Sequence, residues 1–541
     1  MKKLFPIIIA MVLVLSSCDG WLDVNTDPNN PSEITENKMI PNIAGGISFY
    51  LGNGYMDLGY ITSVYVHQLS SRESIDQYGI RGSDVDIPWS NLYADTYKEI
   101  LTLINNATEN DNLLYAGIGR VFKAYVASQM VDIWGDIPYS EAGVTGNYNP
   151  VFDDDKAIYV DLFAQLDTAI MNFNSTSAEN LLTPGSDDII YGGDIDLWIK
   201  AANSLKLKLY VQVQGTDLYN QSKVDALLQG DLIEEGEDFL VPHGPGQAPD
   251  NRNPGFVDEY AGSQISSYIS PWIYEIMSGK GEHIFGGIVD PRVPYYWVTQ
   301  VDDPSEDENP PEYQDGGFNS IYFGSNGVNR DHAGRNTFTM IGLYPVGGAF
   351  DSPSLDKGSS LGVEDGTGAA PYRMITYADI LYMEAELIAK GLIDGDLRTA
   401  LENAIKASFA QVDMVTEVAG KGTEPLLAGT DAETDYINGI LGIFDNSSDE
   451  KKFEIVMTQK WISKFGSAVD AYTDYRRTGY PVMWDPNTMV ADGGPDGSGV
   501  VPVESTRPYA LSFPWSSDEL NMNDNAPAQK TPSSYKIFWD N

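Results

Sequence analysis

The chain predicts a mostly helical fold, a scaffold of antiparallel helix pairs of tetratricopeptide type that carries a loop-rich face. Three observations lead there: one-sided apolar stripes recur in two blocks, a self-contained helix-turn-helix unit appears in the second, and the stretch between them is rich in Gly, Pro, Asp and aromatics. Stripes of period 3.6 must be buried against other helices, whereas loops held on a rigid scaffold are where binding residues gather.

The first block spans roughly 39–214. Leu114, Ile118, Val121, Phe122, Tyr125 and Ile133 follow the i, i+4, i+7 pattern of one buried face, and Gly135-Asp136-Ile137-Pro138 then ends the helix and turns the chain. Ile158, Leu162, Leu166, Ile170 and Phe173 mark the next helix, and Trp198, Ala202, Leu205 and Leu209 a third. The second block spans roughly 372–480. Tyr377, Leu381, Ala385 and Ile388 form a stripe, Gly391 suits the position after a helix end, and Asp396 is placed to cap a helix bearing Leu397, Leu401, Ile405 and Phe409. A further helix is expected over Glu450 to Phe465, with Phe453, Met457, Trp461 and Phe465 inward. A strict 34-residue self-similarity is not visible, so the number of helix pairs stays open. Residues 215–371 and 481–541 read as the loop-rich parts, the latter with an exposed turn at Asp492 to Gly497.

The N-terminus is of a different kind. Lys2 and Lys3 precede an apolar run from Leu4 to Leu15, and Ser16-Ser17 lead into Cys18, the single cysteine of the chain. Twelve residues cannot cross a bilayer, which takes about 20. The arrangement resembles a bacterial lipobox, so residues 1–17 are expected to be a signal peptide and Cys18 the acylated first residue of the mature chain. Two acyl chains would anchor a protein that needs no membrane-spanning helix. Residues 18–38 form a polar tether, with Asp27-Pro28-Asn29-Asn30-Pro31 opposing regular structure.

Composition narrows the function. A net charge of −45 over 541 residues repels the phosphates of nucleic acids and anionic lipids. With 42% hydrophobic and 11% aromatic residues the chain has ample core material, and with one cysteine it has neither disulfides nor a thiolate metal site. The four histidines, His67, His243, His283 and His332, are too scattered to suggest a ligand set. Asp23-x-Asn25-x-Asp27 begins like a calcium-binding loop, but Pro28 stands where glycine is needed and Ile34 where the bidentate glutamate belongs. Calcium held by other acidic, glycine-rich loops stays open, with no ligand set indicated. Glycan hydrolysis would require two carboxylates about 5 to 10 Å apart across a cleft. No spacing singles out such a pair, and no serine-elbow, zinc-protease or P-loop motif is present, so an enzyme is not expected.

Several segments together resemble the SusD/RagB-like family of outer-membrane lipoproteins. They are Leu22 to Asn29, Val131-Asp132-Ile133-Trp134-Gly135-Asp136-Ile137-Pro138-Tyr139, Ala202 to Leu207, Asp290-Pro291-Arg292, Met374 to Asp379, and Asp474 to Pro481. The resemblance makes 39–541 a single SusD-like domain and implies tetratricopeptide-like helix pairs beneath a ligand-binding loop face. It implies display at the cell surface and capture of oligosaccharides, or in some members peptides, for a SusC-like TonB-dependent transporter. Most of these motifs are expected to serve the scaffold, with Asp290 and Arg292 making turn and ion-pair contacts.

A sugar binds where its C–H face can pack on an aromatic ring while polar groups meet its hydroxyls. The clusters that suit this are Tyr295-Tyr296-Trp297, Tyr268 with Trp272, and Tyr313 with Tyr322, all in the middle section; Tyr78 and Trp89 flank another loop, Gly79 to Pro88.

Overall fold

The computed structural model describes residues 34–262, 264–281, 283–301, 312–325, 335–357, 361–483 and 508–540. Cys18, the signal peptide, most of the tether, His332 and the turn at Asp492 to Gly497 lie outside the described residues.

The first block begins with α1 (Ile40–Tyr50) and α2 (Leu58–Tyr65), then α3 (Asp86–Asn91), a π-helical turn at Leu92–Tyr97, and α4 (Lys98–Glu109). α5 (Leu113–Trp134) packs between α4 and α6 (Asp155–Phe173), and α7 (Ile195–Gln212) follows against α6. The stripe predicted for α5 understates its burial, since nearly every side chain from Tyr115 to Trp134 is covered. A helix enclosed on all sides shows little one-sidedness. Caps set the starts of its neighbours: Asp154 accepts from the Ala157 amide and Asp194 from those of Asp196 and Leu197.

The second block contains α8 (Tyr377–Ala389), α9 (Leu397–Ala419), α10 (Asp431–Asp445), α11 (Asp449–Ser463) and α12 (Ala468–Thr478). Thr376 and Asp379 form a reciprocal capping box on α8, and Asp396 caps α9 as expected, through the Thr399 amide. Gly391 has φ +67°, the left-handed conformation its position called for. Between the blocks the chain makes short antiparallel ribbons, among them Tyr372 opposite Val241 and Trp297 opposite Ile341. The observed fold is the predicted one, helix pairs with a loop-rich middle.

Where α7, α8, α11 and α12 meet, the core is ionic. Arg477 grips Glu386 through both terminal nitrogens (2.5 and 2.9 Å), Lys460 bridges Glu386 (3.2 Å) and Asp474 (2.8 Å), and Lys464 bridges Asp379 and Asp470 (2.9 and 3.0 Å). Lys208 of α7 completes the chain to Asp470 at 2.8 Å. Burial alone would raise the Glu386 carboxyl, but Arg477 and Lys460 outweigh it and hold the group down at about 2.

Residues 508–540 run as a strap across the first block, and the Val131–Tyr139 segment receives them. The Phe513 amide donates to the Ile133 carbonyl (2.8 Å), Trp515 Nε1 to the Asp136 carbonyl (2.8 Å), and Trp539 Nε1 to the Asp132 carboxylate (3.1 Å). Lys530 donates to the Trp134 carbonyl, and the Phe538 amide to Asp155 (2.9 Å). Gly135 turns the chain here at φ +73°, with the Tyr535 ring so close that a Cβ would stand 2.6 Å from it. The motif is thus scaffold, as is Asp290-Pro291-Arg292: the Arg292 guanidinium, fully buried, is held by Asp290 (2.6–3.2 Å) and by Ser408 (2.7 Å).

Candidate functional site

A surface cleft of about 570 Å³ lies where the first block meets the strap. This is within the range typical of ligand pockets. Its floor is an aromatic row, Trp89, Tyr93 and Tyr97, at i, i+4 and i+8 on α3 and the π-helical turn that follows it. The turn is defined by the Lys98 amide reaching back five residues to the Tyr93 carbonyl. Single π turns interrupt α-helices frequently at functional sites. Trp89 is wedged edge-on against Trp134 (4.8 Å between centroids) and beside Tyr93 (5.1 Å). Tyr93 is fixed by its hydroxyl, which donates to the Pro138 carbonyl at 2.8 Å.

The second wall is the loop from Tyr139 to Val151, and carboxylates stiffen it. Asp153 accepts from the amides of Tyr139 (3.0 Å) and Ser140 (2.8 Å), and Glu141 from Asn147 Nδ2 and the Val151 amide, both at 3.1 Å. The loop presents Tyr148, whose side chain is 85% exposed. An aromatic ring held out of the core by a pinned loop is a ready contact surface.

The third wall is α13 (Ser517–Met522) of the strap, which contributes Asp518, Glu519 and Met522, the last 76% exposed. Asp86, three residues before Trp89, ties this wall to the floor by accepting from Ser516 Oγ (2.7 Å) and from the Asp518 amide (3.1 Å). Asn523 Nδ2 ties it to the loop through the Pro150 carbonyl (2.8 Å), and Asn149 accepts from the Asp524 amide (2.8 Å). The cleft therefore sets the half-buried ring of Tyr93 and the open ring of Tyr148 beside polar groups that can serve hydroxyls, Ser90, Lys98, Asn147, Asp518 and Glu519, while Trp89 and Tyr97, 2% and 1% exposed, support the floor from beneath. Asp518 and Glu519 are neighbours on a single wall, which is not the opposed pair that glycoside hydrolysis requires.

Of the nine aromatics nominated from the sequence, only Trp89 lines this cleft, and it is 2% exposed. The other eight are buried as well, and their rings pack on aromatic neighbours. Tyr296 stacks between Tyr344 (4.8 Å) and Phe465 (5.1 Å), Trp297 meets Phe318 (6.0 Å), and Tyr313 meets Tyr322 edge-on (5.6 Å). Tyr268 abuts Phe338 (5.0 Å) and Trp272 stacks on His283 (4.7 Å). Tyr295 donates to the Pro425 carbonyl, Tyr296 to that of Ile462 (3.0 Å), and Tyr78 shares a 2.8 Å hydrogen bond with His67. Apolar area in a middle section without long helical stripes is buried by such stacking.

Sequence reasoning missed Tyr93, Tyr97, Tyr148 and the strap residues. A signal existed for the first three: an aromatic every fourth residue from Trp89, and a lone tyrosine in Gly143-Val144-Thr145-Gly146-Asn147-Tyr148-Asn149-Pro150, a stretch rich in Gly and Asn with no helical stripe. The strap's approach had none, because it rests on pairings nearly 400 residues apart.

The described histidines each sit among different neighbours. His67 stacks on Phe323 (3.7 Å), His243 bonds to Ser48 Oγ (2.6 Å), and His283 lies under Trp272. Three carboxylates do converge, Asp136, Asp154 and Asp155, with ligand atoms within 4.8 Å of one another. Each accepts from a main-chain amide: Asp136 from Asp155 (2.9 Å), Asp154 from Ala157 (2.9 Å), and Asp155 from Lys156 (2.7 Å) and Phe538 (2.9 Å). Their convergence is accounted for by the turn and the strap they hold. No helix among the described residues is long and apolar enough to cross a membrane.

Comparison with known proteins fits this architecture. The family model described as "Starch-binding associating with outer membrane", SusD-like, matches residues 28–503. Among solved structures, a chitin-binding protein shares 19% identity with a TM-score of 0.64, covering 92% of this chain and 100% of its own. A SusD homologue from Bacteroides fragilis shares 17% with a TM-score of 0.68, covering 94% and 99%. A SusD/RagB family protein from Bacteroides thetaiotaomicron shares 17% with a TM-score of 0.66, again covering 94% and 99%. No curated protein matches. With a family match that spans most of its length and a helical scaffold shared with SusD homologues, the chain belongs to the SusD-like family, described as starch-binding and associated with the outer membrane.

Proposed function

We propose that this protein is a lipid-anchored surface receptor that captures oligosaccharides in the cleft between α3, the Tyr139–Val151 loop and α13, and passes them unaltered to a SusC-like TonB-dependent transporter. The observation that carries the reading is the exposed ring of Tyr148 facing a cleft floored by Trp89, Tyr93 and Tyr97 and edged with hydroxyl-binding groups. The starch-binding description of the family supports glycans over peptides as the cargo. The single-wall placement of Asp518 and Glu519 favours binding over hydrolysis. Anchoring through Cys18 and hand-over to a transporter rest on the N-terminal sequence pattern and on family resemblance.

The test is equilibrium binding of residues 19–541 to a panel of glycans and peptides, with mass analysis of each recovered ligand. A glycan returned intact is expected, and Tyr148→Ala should weaken its binding roughly 5- to 30-fold, about 1 to 2 kcal/mol. The side chain is exposed, so melting should move by no more than about 0.5 kcal/mol equivalent. Peptides alone, or glycan fragments, would overturn the reading. Co-extraction of a large β-barrel in mild detergent tests the partner; a protein that always extracts alone would refute it.

A further inference from the structure

We propose that Asp518 decides which oligosaccharides enter the cleft, selecting neutral chains over those that bear carboxylate or sulfate groups. The inference rests on the cleft being the glycan site and goes further by naming the chemistry of the cargo.

Asp518 lines the cleft, and among the described residues its carboxylate accepts no hydrogen bond and joins no ion pair. Its neighbour differs, since Glu519 is engaged by Asn523 Nδ2 at 2.8 Å. The main chain of Asp518 is nevertheless fixed. Its amide and the Ser516 hydroxyl both donate to one oxygen of Asp86, at 3.1 and 2.7 Å. Asp86 opens the helix that carries Trp89, so a single carboxylate sets α13 in register with the aromatic floor. With its main chain tied to the floor, Asp518 keeps an exposed acceptor at the edge of the cleft, across from the open ring of Tyr148, and a pyranose needs both an acceptor and a ring face. The ring takes the C–H face, and an ionised carboxylate, which only accepts, takes the protons of hydroxyls at its edge.

The same charge rejects anions. Among the described residues Lys98 is the one cation lining the cleft, outnumbered by Asp518 and Glu519, on a protein whose net charge is −45. A uronate or sulfate ester seated on the floor would face a fixed negative charge that it cannot hydrogen-bond, within a field that already repels it. A neutral sugar meets no such cost.

The experiment is isothermal titration of wild type, D518A, D518N and Y148A with neutral oligosaccharides from starch, xylan, mannan and chitin, and with oligosaccharides of polygalacturonate and chondroitin sulfate. Wild type should bind at least one neutral set and neither anionic one. D518A should lose about tenfold or more on the neutral ligand, the usual worth of a hydrogen bond to a charged group. D518N, which keeps one acceptor oxygen and loses the charge, should retain more of that affinity than D518A and bind anionic chains better than wild type. Unchanged melting of both variants would assign the losses to ligand contact. Wild type that prefers anionic chains, or D518A within twofold of wild type, overturns the proposal. If Y148A weakens binding while D518A does not, only the role of Asp518 falls; if neither does, the cleft assignment falls with it. Binding of no glycan overturns both.

Discussion

Replacing Glu386 by alanine tests whether the ionic core between the helices is held by charge balance. Four groups form its centre, two acids (Glu386, Asp474) and two bases (Lys460, Arg477), and their side chains are between 0% and 14% exposed. Glu386 accepts from both Arg477 nitrogens, from Lys460 and from Gln214 Nε2 (2.7 Å). Alanine leaves the quartet with one unbalanced positive charge on side chains only 3% and 6% exposed. Breaking a buried pair in this way costs about 3 to 5 kcal/mol. Urea unfolding followed by circular dichroism should show the midpoint falling accordingly, with the slope unchanged. E386A/R477M restores neutrality and should recover part of the loss. The carboxyl's pKa is depressed in the folded state, so its contribution is full above the unfolded value near 4.5 and disappears as pH falls toward 2; the gap between wild type and E386A should narrow over that range. A loss under about 1 kcal/mol at pH 7, with no recovery in the double variant, would refute the argument.

Three further outcomes are expected. Burial, then the charge of Asp258, pushes the Asp57 carboxyl up to about 8, so the folded state holds the proton and stability declines as pH rises from roughly 4 to 8; Asp57→Asn should remove that decline, giving a thermal advantage at pH 9 that is absent at pH 4. A melting difference independent of pH would contradict it. Gly135→Ala should destabilise by about 1 to 3 kcal/mol, because φ is +73° and the new methyl meets the Tyr535 ring; unchanged melting would show that the turn adapts. Cys18→Ala should release the protein from membranes after a salt wash, and a variant that still pellets would remove the lipid anchor.

The sequence revealed the scaffold because helix formation leaves local marks. Asp396 capping α9 and Gly391 beyond α8 are decided within a few residues, and both are where the pattern put them. The Val131–Tyr139 and Asp290–Arg292 segments were legible as framework, though not what they hold. The candidate site was largely illegible, because whether a ring is a platform or core depends on what covers it. Tyr295, Tyr296 and Trp297 look like a sugar-binding cluster, yet Tyr344, Phe465 and Phe318 come from elsewhere in the chain to bury two of the three. Tyr148 is a tyrosine like these, yet among the described residues it stays 85% exposed.

The strap gives binding a condition in time as well as in space. Residues 131–139 and their partners at 513–539 are nearly 400 positions apart, so the first helices can assemble while the cleft still lacks α13. Contacts of such wide separation form late, since the intervening loop must be closed first. Capacity for ligand is thereby withheld until the downstream residues dock and supply the third wall of the cleft.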